Sequence, residues 1–370
     1  MQTIEMRRRC TWRLALVVGT FALQSQAAEP LPHLTVSGDF RLRAQGDFSA
    51  ADTPDRGSGQ VRARLAASYA VSPWIKVGAR LATGDADDPN STDVQLSNFD
   101  DKFDVNLDQA WVELDLGNLR VLGGKTPQLL TRTELVWDGD VNPQGIGAAY
   151  RRTLTHGSSI RMNGLFFVID EQAAGPESTM AGAQLGFDSG WRGLWKFDSA
   201  MAYYDYSLRD LADADSGDFR TNLLTPDGKY LSDFDLADVI VSTTWRGLGE
   251  RRPVSVTADY VKNFGAETDA DTGYSVELAL GRTSAPHDWR VSYGYGVAEA
   301  DAVLAAFSSD NTSIGTNYRQ HFLTFDYVLL PGTQINASWY HYRPDEARYA
   351  GARLPGDWLD RVRLAIAVSF

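Results

Sequence analysis

Arg361–Phe370 reads RVRLAIAVSF. Val362, Leu364, Ile366, Val368 and Phe370 fall on one side of a period of two, and Arg361, Arg363, Ala365, Ala367 and Ser369 fall on the other. That alternation predicts a strand with one apolar face and one face that accepts guanidinium groups. A soluble edge strand could carry the same pattern, so the fold turns on whether it recurs upstream.

It recurs throughout. Leu34, Val36, Phe40 and Leu42 alternate with Thr35, Ser37, Asp39, Arg41 and Arg43, and Val61, Ala63, Leu65, Ala67 and Tyr69 alternate with Arg62, Arg64 and Ser68. Ile75, Val77, Ala79 and Leu81 follow against Lys76 and Arg80. Connections alternate between long and short: a polar stretch from about Gln45 to Gly59, the short Val71-Ser72-Pro73, then Gly84 to Asp104, rich in Asp, Asn and Ser. Further short turns fall at Gly117-Asn118, Thr153 to Gly157, Asp188-Ser189-Gly190 and Pro331-Gly332. The pattern predicts about sixteen strands of about ten residues, the length of a tilted membrane strand. An even number puts both termini at one end, so the expected fold is an all-β, antiparallel transmembrane barrel with short periplasmic turns and long extracellular loops. A propeller or sandwich would show blade repeats or shorter strands. Trp74, Trp195, Trp245 and Trp289 all sit beside short turns, where an aromatic girdle would mark the periplasmic interface.

The beginning of the chain indicates the compartment. Arg7, Arg8 and Arg9 precede the apolar run Leu14 to Leu23, followed by the small residues Ser25, Ala27 and Ala28, the order of a secretory signal peptide. The expected division is a signal at 1–28 and a single barrel domain at 29–370. Removing 1–28 takes Lys+Arg from 35 to 31 and Asp+Glu from 48 to 47, so the net charge moves from −13 to −16. Cys10 leaves with the signal, which excludes disulfides, thiolate catalysis and cysteine zinc sites from the remainder. So acidic a chain is a poor nucleic-acid binder. No apolar run of about 18 residues follows the signal, so a chain that spans a membrane must do so as a closed barrel.

Four segments carry a family resemblance: FDVNLDQAWVELDLGNLRVLGGK (Phe103 to Lys125), LVWDGDVNPQGIGAAY (Leu135 to Tyr150), EADAVLAAFSSD (Glu299 to Asp310) and the terminal RVRLAIAVSF. Through them the chain resembles the Gram-negative outer-membrane putative porin family, related in architecture to general porins and alginate-export barrels. The resemblance implies an outer-membrane location and passive transport, and brings no established substrate. The last segment, ending on Phe370, resembles the signal read by the barrel-assembly machinery. Outer-membrane lipid and lipopolysaccharide are the expected surroundings, small polar solutes the expected cargo, and a homotrimer the assembly common among general porins.

A barrel of about sixteen strands leaves a water-filled lumen unless loops plug it, and inward charges then set selectivity. Since the last strand closes on the first, Arg361 and Arg363 are expected beside Arg41 and Arg43, then Arg62 and Arg64, then Lys76 and Arg80, making a basic wall. Asp198, Asp238, Asp259 and Glu277 are expected opposite as an acidic patch, giving a transverse field that favours polar or zwitterionic solutes. The structural alternative pairs each arginine with an acid such as Asp39 or Asp326. Thr126 to Pro143 is too apolar for a solvated loop, with Leu129, Leu130, Leu135, Val136 and Trp137 beside Glu134, Asp138 and Asp140. It is the candidate constriction; a rim cap through Trp137 is the other reading.

Other sites are weak. Asp85, Asp87 and Asp88, Asp213 and Asp215, and Asp269 and Asp271 have calcium-like spacing but lack the terminal glutamate. His33, His156, His287, His321 and His341 are scattered singly, so no metal or other cofactor is expected. A blocked receptor or adhesion barrel is the main alternative function. An outer-membrane hydrolase with Ser and His on outward ridges is a third, but nothing marks a nucleophile, and the expectation is a protein that is not an enzyme.

Overall fold

The computed structural model describes residues 33–49, 55–96, 102–171, 177–208, 221–349 and 357–370, so the expected signal peptide and the pair Asp213 and Asp215 lie outside the described residues. The strands are β1 (Leu34–Ser49), β2 (Arg56–Ser72), β3 (Ile75–Thr83), β4 (Val94–Gln95), β5 (Val105–Asp115), β6 (Leu119–Lys125), β7 (Gln144–Thr153), β8 (Ser159–Asp170) and β9 (Ser178–Arg192). They continue as β10 (Trp195–Ser207), β11 (Asp235–Trp245), β12 (Val254–Asn263), β13 (Thr272–Gly281), β14 (Trp289–Ala298), β15 (Tyr318–Leu330), β16 (Thr333–Pro344) and β17 (Leu359–Ser369). Sixteen of them form the wall, each antiparallel to its sequence neighbour, and β1 pairs with β17 to close the ring. The two-residue β4 is not a wall strand. It continues the ladder on β2 where β3 stops, Val61 facing Val94 and Gln60 facing Gln95, so 84–93 is an excursion between two pieces of one edge.

Closure uses the terminal alternation. Phe40 faces Val368, Leu42 faces Ile366 and Ala44 faces Leu364 on the apolar side, while Arg41 faces Ala367 and Arg43 faces Ala365 on the other. Leu364 and Ile366 are among the many large apolar side chains left open on the outer surface, and lipid is the solvent that makes such a surface stable. Gly38 and Phe370 exchange backbone hydrogen bonds at 3.0 Å. A Cβ on Gly38 would stand 2.7 Å from the Phe370 ring, so the missing side chain is what lets the terminal aromatic lie on β1.

Two boundaries differ from the sequence reading. The stretch Gln45 to Gly59 is largely strand, because the β1–β2 hairpin continues to Asp47 opposite Arg56. Ladder hydrogen bonds do not depend on apolar side chains, so polarity marks where lipid ends and not where the strand ends. The turn expected at Asp188-Ser189-Gly190 falls instead after Arg192, with a register shift between Lys196 and Asp198.

Candidate functional site

The basic residues of β1, β2, β3 and β17 sit on the inward side of the alternation, and nearly all of them are tied to an acid. Arg41 Nη2 and Arg43 Nη1 each donate to Asp93 Oδ2 at 2.6 Å. Arg62 and Arg64 share Asp39, at 2.8 and 2.7 Å, and Arg64 also donates to Asp140 at 2.8 Å. Arg80 bonds Asp108, and Lys76 lies 3.9 Å from Glu113. Arg361 donates to Asp47 at 2.6 Å. Arg363 is held by neutral groups, the Gln45 and Asn311 side-chain oxygens, each at 2.8 Å.

The strands follow the expected order around the wall, but the arginines of β17 do not stand level with those of β1. Arg41 does face Arg62, but Arg363 faces Gln45, two residues along from Arg43 and so diagonal to it, and Arg361 faces Asp47. The acid expected at Asp326 binds Gln334 and Asn336 instead, both at 2.8 Å.

The four acids across the barrel do not stand together as one open face. Asp198 makes a two-pronged pair with Arg161 at 2.7 and 2.8 Å, and Glu277 pairs with Arg290. Asp238 and Asp259 are only 1 % and 3 % exposed, lying beneath Tyr204 and the segment 126–143. Arg161 and Arg290 were readable as inward positions of β8 and β14, but their partners lie on β10 and β13 and depend on register.

Segment 126–143 crosses the interior. Its neck is closed by Thr126 N–H donating to the Pro143 carbonyl at 2.8 Å. Asp140 reaches Arg64 on β2, Asn142 reaches Asp108 on β5, the Thr131 backbone bonds Gln184 on β9 twice, and Thr133 donates to Asp259 on β12. Trp137, fully buried, stacks on Phe307 with ring centres 5.7 Å apart and meets Tyr204 edge-on at 5.6 Å. Glu134 stays at the open edge, paired with Arg132 at 3.2 Å.

Phe307 belongs to a second inward segment, 299–317, whose interior role the sequence reading missed. The Asn222 amide donates to the carbonyls of Ala300 and Val303 at 2.8 and 2.9 Å, and its oxygen accepts from Ala305 N–H. Asp301 is fully buried and accepts from Ser232 Oγ at 2.5 Å and from Leu223 N–H at 2.9 Å. The two segments meet through the Trp137–Phe307 stack, the Asp138 N–H to Phe307 carbonyl bond at 2.8 Å and the Ser309 N–H to Glu134 carbonyl bond at 3.2 Å. From the third side Asn90 of segment 84–93 donates to the Ser308 carbonyl at 3.0 Å.

Charge in these segments is set by burial and neighbours. Burial would raise the Asp93 carboxyl, but Arg43 and Arg41 outweigh it and hold the group below its ordinary range. Asp138 has no such cation: burial, then Glu134 and Asp310, push its carboxyl well above the ordinary range.

Among the described residues, cavities lie beside the crossing segments, two of them sizeable. One of about 390 Å³ opens between segment 84–93 and the tops of β5, β7 and β8. The other, about 410 Å³, runs along β12 to β16 and is lined by Arg132, Glu134, Glu277, Arg290, Tyr318 and Tyr340. His321 and His341, single in sequence, face each other across β15 and β16, with His341 stacked on Trp358 at 4.3 Å.

A closed antiparallel barrel with an apolar outside, a charged inside and inward-folded loops defines an outer-membrane pore protein. The chain matches the family described as "Putative porin" over residues 49–217 and 213–344, and it belongs to that family. Among solved structures, the fold is similar to Pseudomonas putida OprB, with a TM-score of 0.62, 11% identity, and coverage of 91% of this chain and 94% of that one. It is also similar to a loop L8 deletion mutant of OmpT, an outer membrane protein of Vibrio cholerae, with a TM-score of 0.53, 11% identity, and coverage of 91% and 100%. A trimer form of OmpT matches with the same TM-score at 10% identity. Comparison with curated protein sequences gives no match. The chain is an outer-membrane porin of the bacterial outer membrane.

Proposed function

We propose that this porin passes small polar solutes by diffusion through the space that segment 126–143 leaves beside β12 to β16, without catalysing a reaction. The observation that carries the reading is the span of that segment, from Arg64 on one wall to Asp259 on the other. A solute must pass its edge, where Arg132 and Glu134 face Arg290 and Glu277 across the same cavity.

These four side chains form two ion pairs, so the passage presents dipoles rather than a bare charge of one sign. The basic wall behaves alike: seven of its eight cations lean on Asp39, Asp47, Asp93, Asp108, Glu113 and Asp140, and Arg363 leans on neutral oxygens, leaving a small cationic excess. Such a lining suits zwitterionic or neutral polar solutes better than it suits one class of ion. Assembly as a homotrimer and insertion by the barrel-assembly machinery through the Phe370 end belong to the same proposal.

The packing of the two interior segments favours one other reading, a receptor or adhesion barrel with a blocked lumen. Planar-bilayer recording separates them. A porin gives stepwise conductance that rises when 129–141 is replaced by a short Gly-Ser link, and a blocked barrel gives no conductance until that replacement. Neutralising Arg41, Arg62 and Arg363 together is expected to lower anion preference; unchanged selectivity would leave the basic wall a purely structural role.

A further inference from the structure

The protein is acidic as a whole, yet one arc of the rim where its short turns gather is basic. Segments 151–158, 190–194, 246–253 and 282–288 contain seven arginines and only two acids, Glu250 and Asp288. They are four consecutive turns of the ring, joining β7 to β8, β9 to β10, β11 to β12 and β13 to β14.

Arginines also fasten each turn to the next. Arg192 donates to the His156 carbonyl at 2.8 Å, Arg246 to the Gly193 carbonyl at 3.0 Å, and Arg251 to Asp288 at 2.7 Å and the Pro286 carbonyl at 3.3 Å. The few acids are already engaged: Asp288 holds both Arg251 and Arg282, and Glu250 holds Arg246. Arg152, Arg192 and Arg252 are exposed and form no ion pair with any described residue. Three guanidinium groups without a counter-ion, on one pre-set arc, call for an anion from outside the chain.

The height of the arc identifies the anion. Arg192 is the register partner of Trp195, Trp195 lies 6.1 Å from Trp245, and the Arg246 guanidinium covers the Trp191 ring at 4.4 Å. Tryptophans of this kind sit at headgroup level, so the arginines beside and just beyond them stand among lipid phosphates. Arg152 and Arg192 still belong to β7 and β9, which keeps them at that level.

We propose that Arg152, Arg192 and Arg252 form a binding arc for the phosphate of anionic phospholipids in the periplasmic leaflet. The planar guanidinium fork fits a phosphodiester, and a basic residue near an anionic membrane surface strengthens binding about fivefold. The arc needs only the membrane placement of the barrel and is independent of what the lumen passes.

The test is native mass spectrometry of the folded full chain after exchange into micelles with equal amounts of phosphatidylglycerol and phosphatidylcholine. The wild type is expected to retain phosphatidylglycerol preferentially. Each of Arg152→Gln, Arg192→Gln and Arg252→Gln should weaken that preference about fivefold, and Arg56→Gln at the opposite rim should not. Equal retention of the two lipids by the wild type, or an undiminished preference in the single variants, overturns the proposal. So does retention of soluble anionic peptidoglycan fragments in place of the lipid. Heat-modifiable gel mobility confirms that each variant is folded.

Discussion

Asp93 takes hydrogen bonds from two arginines that stand two residues apart on one strand, and Asp39 does the same for the arginines of the next. Guanidinium groups that would repel each other along β1 and β2 are thereby held side by side. The Asp93 carboxyl lies below its ordinary 3.8, so its contribution to stability is complete above 3.8 and is lost as the pH falls through the lowered native value. Asp93→Asn leaves Arg41 and Arg43 without their carboxylate and should move reversal potentials toward anions; an unchanged potential in a salt gradient would place both arginines off the ion path. Asp138 has the opposite sign. Its raised carboxyl favours the folded state while protonated, a contribution complete below 3.8 and lost as the pH rises through the native value. Asp138→Asn should therefore flatten the decline of thermal stability from acid to neutral pH, seen as a higher melting midpoint than wild type at neutral pH. Parallel melting curves for the two proteins would show that Asp138 is not the group responsible.

At the scale of elements, the interior is organised by a contact between two loops. Trp137 is packed against Phe307, Tyr204, Tyr206 and Phe167, an aromatic cluster drawn from segments 126–143 and 299–317 and the walls β8 and β10. Trp137→Ala removes the centre of that cluster and should cost about 3–5 kcal/mol where the segments dock. Because the barrel ladder does not depend on it, the expected result is a folded barrel with enlarged, noisier conductance and faster protease cleavage within 126–143. Loss of the barrel itself would mean that the wall needs its contents. The first segment was legible in part: five large apolar residues in an otherwise polar connection must be covered, and the sequence left a place inside the wall and a cap over the rim both open. The second was not, since Ala300, Ala302, Val303 and Leu304 have no period and too little bulk to stand out. What fixes it is long-range: Asn222 lies 78 and 81 residues from the carbonyls it binds. The arginines of the wall were equally visible, but the partners of Arg41 and Arg43 come from an excursion whose fold no alternation encodes.

For the whole molecule, one pattern does two jobs, and it can be tested on the strand that closes the ring. β17 pairs with both β16 and β1, its apolar side continuing the lipid surface and its other side carrying Arg361 and Arg363 into the interior. Leu364 lies near the middle of the strand between Ala44 and Ala337, 55% exposed in the absence of lipid, and Val368 lies toward the periplasmic end opposite Phe40 and Thr333. If the outward stripe faces hydrocarbon, the cost of a charge must depend on depth and not on exposure, which is similar at the two sites. Leu364→Arg is expected to destabilise the barrel by about 2–4 kcal/mol, whereas Val368→Arg, close enough for its guanidinium to reach the headgroups, should cost about 0–1 kcal/mol. Urea unfolding of both variants in phospholipid vesicles, followed by tryptophan fluorescence, measures the difference. Equal costs would remove the depth gradient and with it the placement of β17 across the bilayer, while a large cost for Leu364→Arg alone fixes the hydrocarbon core between the Trp195–Trp245 belt and the long loops.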